Sequence, residues 1–303
     1  MNRILICGCN GLLGQRLSAQ LSVRTELEVL NTSTERDFVF SDRPYDYTQL
    51  DITRRGDVRS LVSSFQPTII INAAAATNVD WCETNREDAW KVNVMGVENL
   101  AEAARRSGSR LIHISTDYVF DGRSGPYDEA AQPNPLSYYG KTKLASENAV
   151  RTANIPHAII RTIILYGTGI RVKPSFPIWV INSLRDGTRI RVVDDQWGNP
   201  THVADLANSI IRVCESGTTG LFHAAGSESL NRYDFALRIA DVFRLDGSLV
   251  DRIPSSSLNQ PAPRPMISGL LTKDTETRLG IRFMNVTEGL MLLKHELQQF
   301  TRN

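Results

Sequence analysis

Cysteine is scarce in this chain: there are four in 303 residues, and Cys7, Cys9, Cys82 and Cys214 form no C-x-x-C pair. That excludes a disulfide scaffold and leaves no basis for a zinc site, so no metal is expected. No apolar run reaches the ~18 residues a membrane helix needs, and the N-terminus runs straight into a strand-like segment with no sign of a signal peptide. The expectation is a soluble, cytoplasmic protein with no membrane partner. An excess of one charge is also missing, since 34 Lys and Arg stand against 33 Asp and Glu. Without a basic arm or an Arg/aromatic stripe, nucleic acid is not expected as a partner. Repeats and low-complexity tracts are absent too. What is present is a length that suits one large α/β domain, or a domain with a smaller lobe.

Tyr139 and Lys143 stand four apart in Tyr139-Gly140-Lys141-Thr142-Lys143, so on a helix they share one face and can address the same bound molecule. A free phenol has a pKa near ~10 and is a poor acid–base group at neutral pH; a nearby cation favours the phenolate. Upstream, Ser115-Thr116-Asp117-Tyr118-Val119-Phe120 supplies the Thr116 hydroxyl, a hydrogen-bond donor for a carbonyl oxygen. Thr116, Tyr139 and Lys143 are therefore the candidate proton-transfer set. Tyr-x-x-x-Lys alone carries little weight, because both residues are common on helices.

A nucleotide loop in the same domain adds to it. Gly8-Cys9-Asn10-Gly11-Leu12-Leu13-Gly14 follows a strand-length apolar run at 3–7 and leads into leucines at helical spacing. Strand, glycine turn and helix in this order are the setting of a dinucleotide loop, although the spacing is G-x-x-G-x-x-G rather than G-x-G-x-x-G. Glycine lets the backbone approach a pyrophosphate, and a helix N-terminus offers free amides and partial positive charge. A glycine-rich turn without a ligand is the competing reading.

Further strand-like runs at 28–32, 68–73, 110–115 and 157–161 alternate with helical patterns, notably at 85–106 and 137–152. This alternation predicts an α/β fold, a Rossmann-type doubly wound parallel sheet with ligands at the carboxyl ends of the strands. The Gly8 loop, Asn72 and Thr116 all fall at such ends. Past residue 165 the order loosens into a strand at 189–193, helices at 202–215 and 233–243, and a polyproline-like loop at 260–265. The expected division is a dinucleotide-binding domain over 1–165 and a smaller C-terminal substrate lobe over 166–303, with some segments returning to the sheet. His113, His202 and His223 read as packed or capping residues. Asp117, Tyr118, Asp121 and Tyr127 read as cleft residues on a loop.

Several segments carry a resemblance that spans nearly the whole chain. They are the glycine loop, Asp51-Ile52, Asn72 to Asp80, Asn93, Ser115 to Gly122, Tyr139 to Leu144, Asp195 to Thr201, and Arg264-Pro265. On these residues the chain resembles the extended short-chain dehydrogenases/reductases, and within that group the dTDP-4-dehydrorhamnose reductases. The resemblance implies hydride transfer from a nicotinamide to the keto carbon of a small-molecule substrate, a nucleotide-linked 4-keto-6-deoxysugar. Tyr139 would give the proton, Lys143 would hold the nicotinamide ribose, and Thr116 would bond the carbonyl oxygen. Gly8, Asn10, Gly11, Leu12, Leu13 and Gly14 would carry the pyrophosphate. Asp51 and Ile52 would contact adenine, and Ala74, Ala75, Ala76 and Asn93 would shape the cofactor site. Thr77, Val79, Thr116, Asp117, Tyr118 and Ile164 would line the substrate.

Two departures touch that substrate side. Ile164 stands where these reductases carry a tryptophan facing the sugar, and Ser175-Phe176 replaces an Asn-Phe pair. A second resemblance is to the regulatory β subunit of methionine adenosyltransferase, through Tyr139 to Leu144, Leu165-Tyr166-Gly167 and Pro200-Thr201-His202-Val203. That protein keeps the fold and binds NADP(H) as a catalytically silent partner. A homodimer is compatible with either resemblance.

The choice of nicotinamide is read at the end of the second strand. An acidic residue about 20 positions past the glycine turn takes the ribose 2′-hydroxyl and selects NAD. Here Leu30-Asn31-Thr32-Ser33-Thr34-Glu35-Arg36 has no acid before Glu35, and its hydroxyls, Thr32 among them, and Arg36 suit a 2′-phosphate. NADP(H) is expected to be preferred and NAD(H) tolerated; the alternative leaves Arg36 in solvent.

Overall fold

The computed structural model describes residues 2–40, 42 and 45–300, so positions 301–303 of the expected lobe lie outside the described residues. The first half alternates as expected. Its strands are β1 (Asn2–Cys7), β2 (Leu27–Ser33), β3 (Asp46–Gln49), β4 (Ile69–Asn72), β5 (Arg110–Thr116) and β6 (His157–Thr162). Between them run α1 (Leu12–Leu21), α2 (Arg55–Phe65), α3 (Val79–Thr84), α4 (Arg86–Trp90), α5 (Gly96–Ser107) and α6 (Tyr138–Thr152). The chain continues through β7 (Leu165–Tyr166), α7 (Phe176–Arg185), β8 (Ile190–Val193), β9 (Trp197–Gly198), β10 (Thr201–His202) and α8 (Val203–Ser216). It then forms β11 (Gly220–His223), β12 (Leu230–Asn231), α9 (Arg232–Phe243), β13 (Val250–Ile253), α10 (Lys273–Leu279) and α11 (Val286–Phe300).

Seven strands make one parallel sheet in the order β11-β6-β5-β4-β1-β2-β3, with the change of direction between β1 and β4. This is the expected Rossmann-type sheet, and in such sheets the crevice at the switch point takes the ligand. Alternate strand residues serve opposite faces. Ile4, Ile6, Ile71, Ile112 and Ile160 pack with α1 and α8 residues, whereas Leu5, Cys7, Ile70, Leu111 and Ile159 pack with α2 and α5 residues. Burial on both faces is why these runs are apolar without a break. A third core joins α7, α9 and α11 to the paired β8 and β13 around Val180, Phe235 and Leu290.

The helix expected over 85–106 is two helices joined by a π-helical turn at Lys91–Met95. The extra residue of such a turn brings Asn93 into the interior, where it is 1% exposed. Among the described residues no helix is long and apolar enough to cross a membrane.

Candidate active site

The glycine turn closes on itself at the β1 end. Gly8 has φ +84°, and a Cβ there would lie 2.7 Å from the Ala74 nitrogen; one on Gly14 would lie 2.1 Å from the Gly8 oxygen. Both glycines are demanded by the fold. Gly11 is different: its nearest neighbour to a Cβ is the Gly8 oxygen at 3.4 Å, ordinary contact distance. A side chain at Gly11 would intrude chiefly on the adjoining cavity of about 330 Å³, which Gly8, Asn10, Gly11, Asp51, Ile52 and Ala74–Ala76 line. α1 begins there with no side-chain cap and no acid in its first turn, so its first amides are left to an anion. An unobstructed glycine over an uncapped helix start fits a dinucleotide pyrophosphate.

Other residues expected at the cofactor stand behind this wall. Thr32 is fully buried with its hydroxyl donating to the Ile6 carbonyl, while its own carbonyl accepts the Gly8 and Cys9 amides at 2.8 and 3.0 Å. It shapes the turn, and its side chain is unavailable to a phosphate. The Leu13 side chain belongs to the core, and Leu12 packs against that core. Asn93 accepts the Ala76 amide at 2.8 Å and donates to the Ala76 carbonyl and the Thr142 hydroxyl, both at 3.0 Å. It holds the alanine turn from behind. At its β2 end the cavity is lined by Ser33, Thr34 and Glu35, with Arg36 exposed and outside that lining. The Ser33 hydroxyl and Asn10 hold the Glu35 carboxyl below its usual range.

Thr116, Tyr139 and Lys143 come together where β5 ends against α6. Ser137 caps α6 by accepting the Gly140 amide, and Gly140 is needed because a Cβ there would meet the Tyr118 carbonyl at 2.2 Å. The 117–120 turn can therefore lie directly on the helix. The Tyr118 ring meets that of Tyr139 edge-on at 5.6 Å. Burial pushes the Tyr139 phenol up from its ordinary value; the Thr116 hydroxyl, hydrogen-bonded to it, works against the rise and Asp117 adds to it. The lowering expected from Lys143 is absent from this arrangement, since the ammonium donates to the Ile114 carbonyl at 2.7 Å. Burial pulls Lys143 down to about 8, and Glu147 one turn along opposes the drop.

Beneath this face lies a buried ionic brace that spacing did not reveal. Glu147 on α6 accepts Arg161 of β6 in a bidentate pair at 2.8 and 2.7 Å and the Ser115 hydroxyl at 2.6 Å. Burial alone would raise the Glu147 carboxyl, but the Arg161 guanidinium holds it below its usual range. Fourteen positions separate the pair, so only the folded chain unites them.

Of the residues expected at the substrate, Thr77 lines a second cavity of about 540 Å³ with Ala76, Asn78, Trp81 and Lys173. Val79 packs toward Tyr139 and Cys82. Asp117 departs from expectation: it is 2% exposed and tied to the Ser268 and Thr116 hydroxyls at 2.6 and 3.1 Å. Burial raises it to about 6. Both carboxylate oxygens are thus engaged within the protein, and Asp117 ties the 117–120 turn to the C-terminal segment. Asp121 and Tyr127 bond each other at 2.8 Å and fasten their own loop. Ile164 has φ +45°, a conformation that β-branched residues avoid, and a Cβ on Gly198 would meet its side chain at 3.0 Å. Arg232 went unnoticed in the sequence; its charge acts on Tyr118 and Asp117, and burial lowers its own pKa.

Fold and site define a dinucleotide-binding α/β protein of the extended short-chain dehydrogenase/reductase type. A family model described as the RmlD substrate binding domain matches residues 1–299, and the chain belongs to that family. The dTDP-4-dehydrorhamnose reductase of Aggregatibacter actinomycetemcomitans is 38% identical over 248 residues, covering 80% of this chain and 79% of the relative. The dTDP-4-dehydrorhamnose reductase of Bacillus anthracis, crystallised in complex with NADP, matches with a TM-score of 0.85 at 30% identity over 98% of this chain and 100% of that one. Methionine adenosyltransferase 2 subunit beta of Mus musculus is 33% identical over 280 residues, 90% of this chain and 79% of its own length. Both resemblances read from the sequence are borne out.

Proposed function

We propose that this protein is a cytoplasmic NADPH-dependent reductase of a nucleotide-linked 4-keto-6-deoxysugar, of the dTDP-4-dehydrorhamnose reductase type, with NAD(H) tolerated. The observation that carries the reading is the meeting of Thr116, Tyr139 and Lys143 where β5 ends against α6, in a sheet whose β1 end opens on a cavity with an uncapped helix start and an unobstructed Gly11. Relatives named as this reductase and the NADP complex of a structural neighbour support it. Residues 1–165 would serve the cofactor and 166–303 mainly the sugar nucleotide.

A bound nicotinamide supplies the hydride to the keto carbon. Tyr139, kept protonated by burial, gives its proton to the oxygen that gains charge as the carbonyl is reduced. Thr116, whose hydroxyl proton otherwise goes to Asp117, turns to donate a hydrogen bond to the same oxygen, stabilising charge where it develops. Lys143 offers its remaining N–H groups to the ribose of the nicotinamide. Loss of the tryptophan at Ile164 supports a second reading, the catalytically silent NADP-binding subunit, which the murine relative also favours. Incubation with NADPH and dTDP-4-keto-6-deoxy-L-mannose, followed by reduced-cofactor absorbance, separates the two. Oxidation supports the reductase; a bound cofactor that is never oxidised rejects it for the silent subunit.

A further inference from the structure

Beside Lys143 runs a chain of hydrogen bonds that the chemistry above does not use. The Ala74 amide donates to Asn72 Oδ1 at 3.1 Å, and Asn72 Nδ2 donates to His113 Nδ1 at 3.2 Å. His113 Nε2 lies 2.9 Å from Ser146 Oγ, whose proton goes to the Lys143 carbonyl at 2.7 Å. Asn72, His113, Ser146 and Lys143 are at most 2% exposed, so bulk water does not compete with these bonds.

The order of donors leaves the imidazole one choice. With Oδ1 turned to the Ala74 amide, Asn72 presents Nδ2 to His113, and an NH₂ group can only donate, so Nδ1 accepts. Burial holds His113 well below its ordinary pKa, so the ring is neutral and its single proton sits on Nε2. Ser146 Oγ accepts that proton because its own is already donated. The Lys143 ammonium lies 3.4 Å from the same Nε2. A nitrogen already acting as donor has no lone pair for it.

We propose that His113 is a positioning residue for Lys143: the chain from the Ala74 amide locks its tautomer, and the locked ring denies the ammonium a second protein acceptor. Among the described residues only the Ile114 carbonyl then takes a Lys143 proton, and two N–H groups stay free for a ligand. This rests on the reading above that Lys143 binds the nicotinamide ribose. Because Ala74 lines the cofactor cavity, the chain also ties that wall to the lysine.

The groups facing Lys143 are few. Glu147 comes from its own helix, its charge shared with Arg161 of β6 and with Arg151, and His113 comes from β5. Tyr139 stands one turn back on α6 and faces Asp117, Tyr118 and Cys82.

Replacing the ring by His113→Ala opens a space bordered by Asn72 Nδ2, Ser146 Oγ and Lys143 Nζ, enough polar partners to hold a water. That water accepts from the ammonium and draws it from the ligand, so NADPH binding, titrated by fluorescence on the purified protein, weakens about tenfold, the size of one lost charge-assisted bond. Water also relieves the burial that disfavours the charged lysine. The alkaline limb of NADPH binding, near pH 8 in the wild type, therefore moves to higher pH. His113→Gln, whose amide N–H replaces Nε2–H toward Ser146, restores affinity and limb. Histidine-selective ¹⁵N NMR of the wild type reads the tautomer directly and needs no variant. A proton on Nδ1, or a folded His113→Ala protein with wild-type affinity and an unmoved limb, overturns the proposal. Lys143→Met separates the two readings. Unchanged NADPH affinity in that variant removes the role assigned to Lys143 itself, whereas weakened binding there beside an indifferent His113→Ala removes only the role of His113.

Discussion

The β5–α6 junction and the β2 edge of the glycine-turn cavity are built on opposite principles. At the β5–α6 end Thr116, Tyr139 and Lys143 are 6%, 8% and 2% exposed, and partners on three elements hold them. At the β2 end Thr34, Glu35 and Arg36 are exposed, and one amide of Asn10 reaches Glu35 at 3.3 Å. A polar group taken out of water has to find partners or cost a few kcal/mol, so the first end is over-determined. An exposed charge can be exchanged at little cost to the fold. The exposed end is thus open to single substitutions at little cost to the fold, while each replacement at the buried end changes desolvation and hydrogen bonding together.

The sharpest way to break that contrast is Tyr139→Phe. It should lose roughly 10²–10⁴-fold in kcat with Tm and NADPH affinity kept, because only the proton donor is removed. A variant that reduces the keto-sugar near the wild-type rate takes Tyr139 out of its role.

Lys143→Met tests what the buried end costs the fold. The folded lysine has its pKa lowered to about 8, so below that pH the protein carries a buried charge that the unfolded chain hydrates freely. Between pH 8 and the ordinary lysine value the unfolded state binds more protons, so wild-type stability rises with pH across this window. Lys143→Met should therefore be the more stable protein at pH 7, by roughly 3 kcal/mol at most, with the advantage shrinking as pH climbs past 8. Urea unfolding at several pH values checks this, and an advantage that grows with pH contradicts it.

Within the glycine turn the contrast repeats on a smaller scale. Gly14→Ala forces a Cβ to 2.1 Å from the Gly8 oxygen and should lower stability by about 1–3 kcal/mol or more. Gly11→Ala, with nothing closer than 3.4 Å, should keep its Tm and lose NADPH affinity. Equal losses of Tm would mean that Gly11 serves the fold alone. The smallest effect belongs to the exposed end. Arg36→Ala should weaken NADPH a few-fold, the worth of one exposed charge pair, and leave NADH unchanged. Tighter binding of NADH than NADPH by the wild type would overturn the preference itself.

Much of this architecture was legible beforehand, because a strand buried on both faces needs an unbroken apolar run and a helix face repeats at i and i+4. β3 escaped notice: Asp46-Tyr47-Thr48-Gln49 is an edge strand with one neighbour and mostly exposed side chains, so nothing selects apolar residues there. The π turn that brings in Asn93 was hidden because helical periodicity continues on both sides of it. The bracing role of Asp117 was hidden for a related reason. A loop carboxylate reads as cleft-lining until Ser268, 151 positions away, is found bonded to it. Thr32 likewise sits at the right sequence distance for a ribose, yet its hydroxyl turns to the neighbouring strand.

Local covalent spacing determined the glycine turn, the Tyr139–Lys143 face and the strand order's raw material, since each depends on residues within one turn or one strand. Tertiary structure alone decided which of those residues are buried and what they meet. The Glu147–Arg161 pair, the His113 tautomer and the depressed pKa of Lys143 exist only once α6 lies on β5 and β6. Hydrogen bonds and desolvation act over a few ångströms of space, and distance along the chain does not enter them.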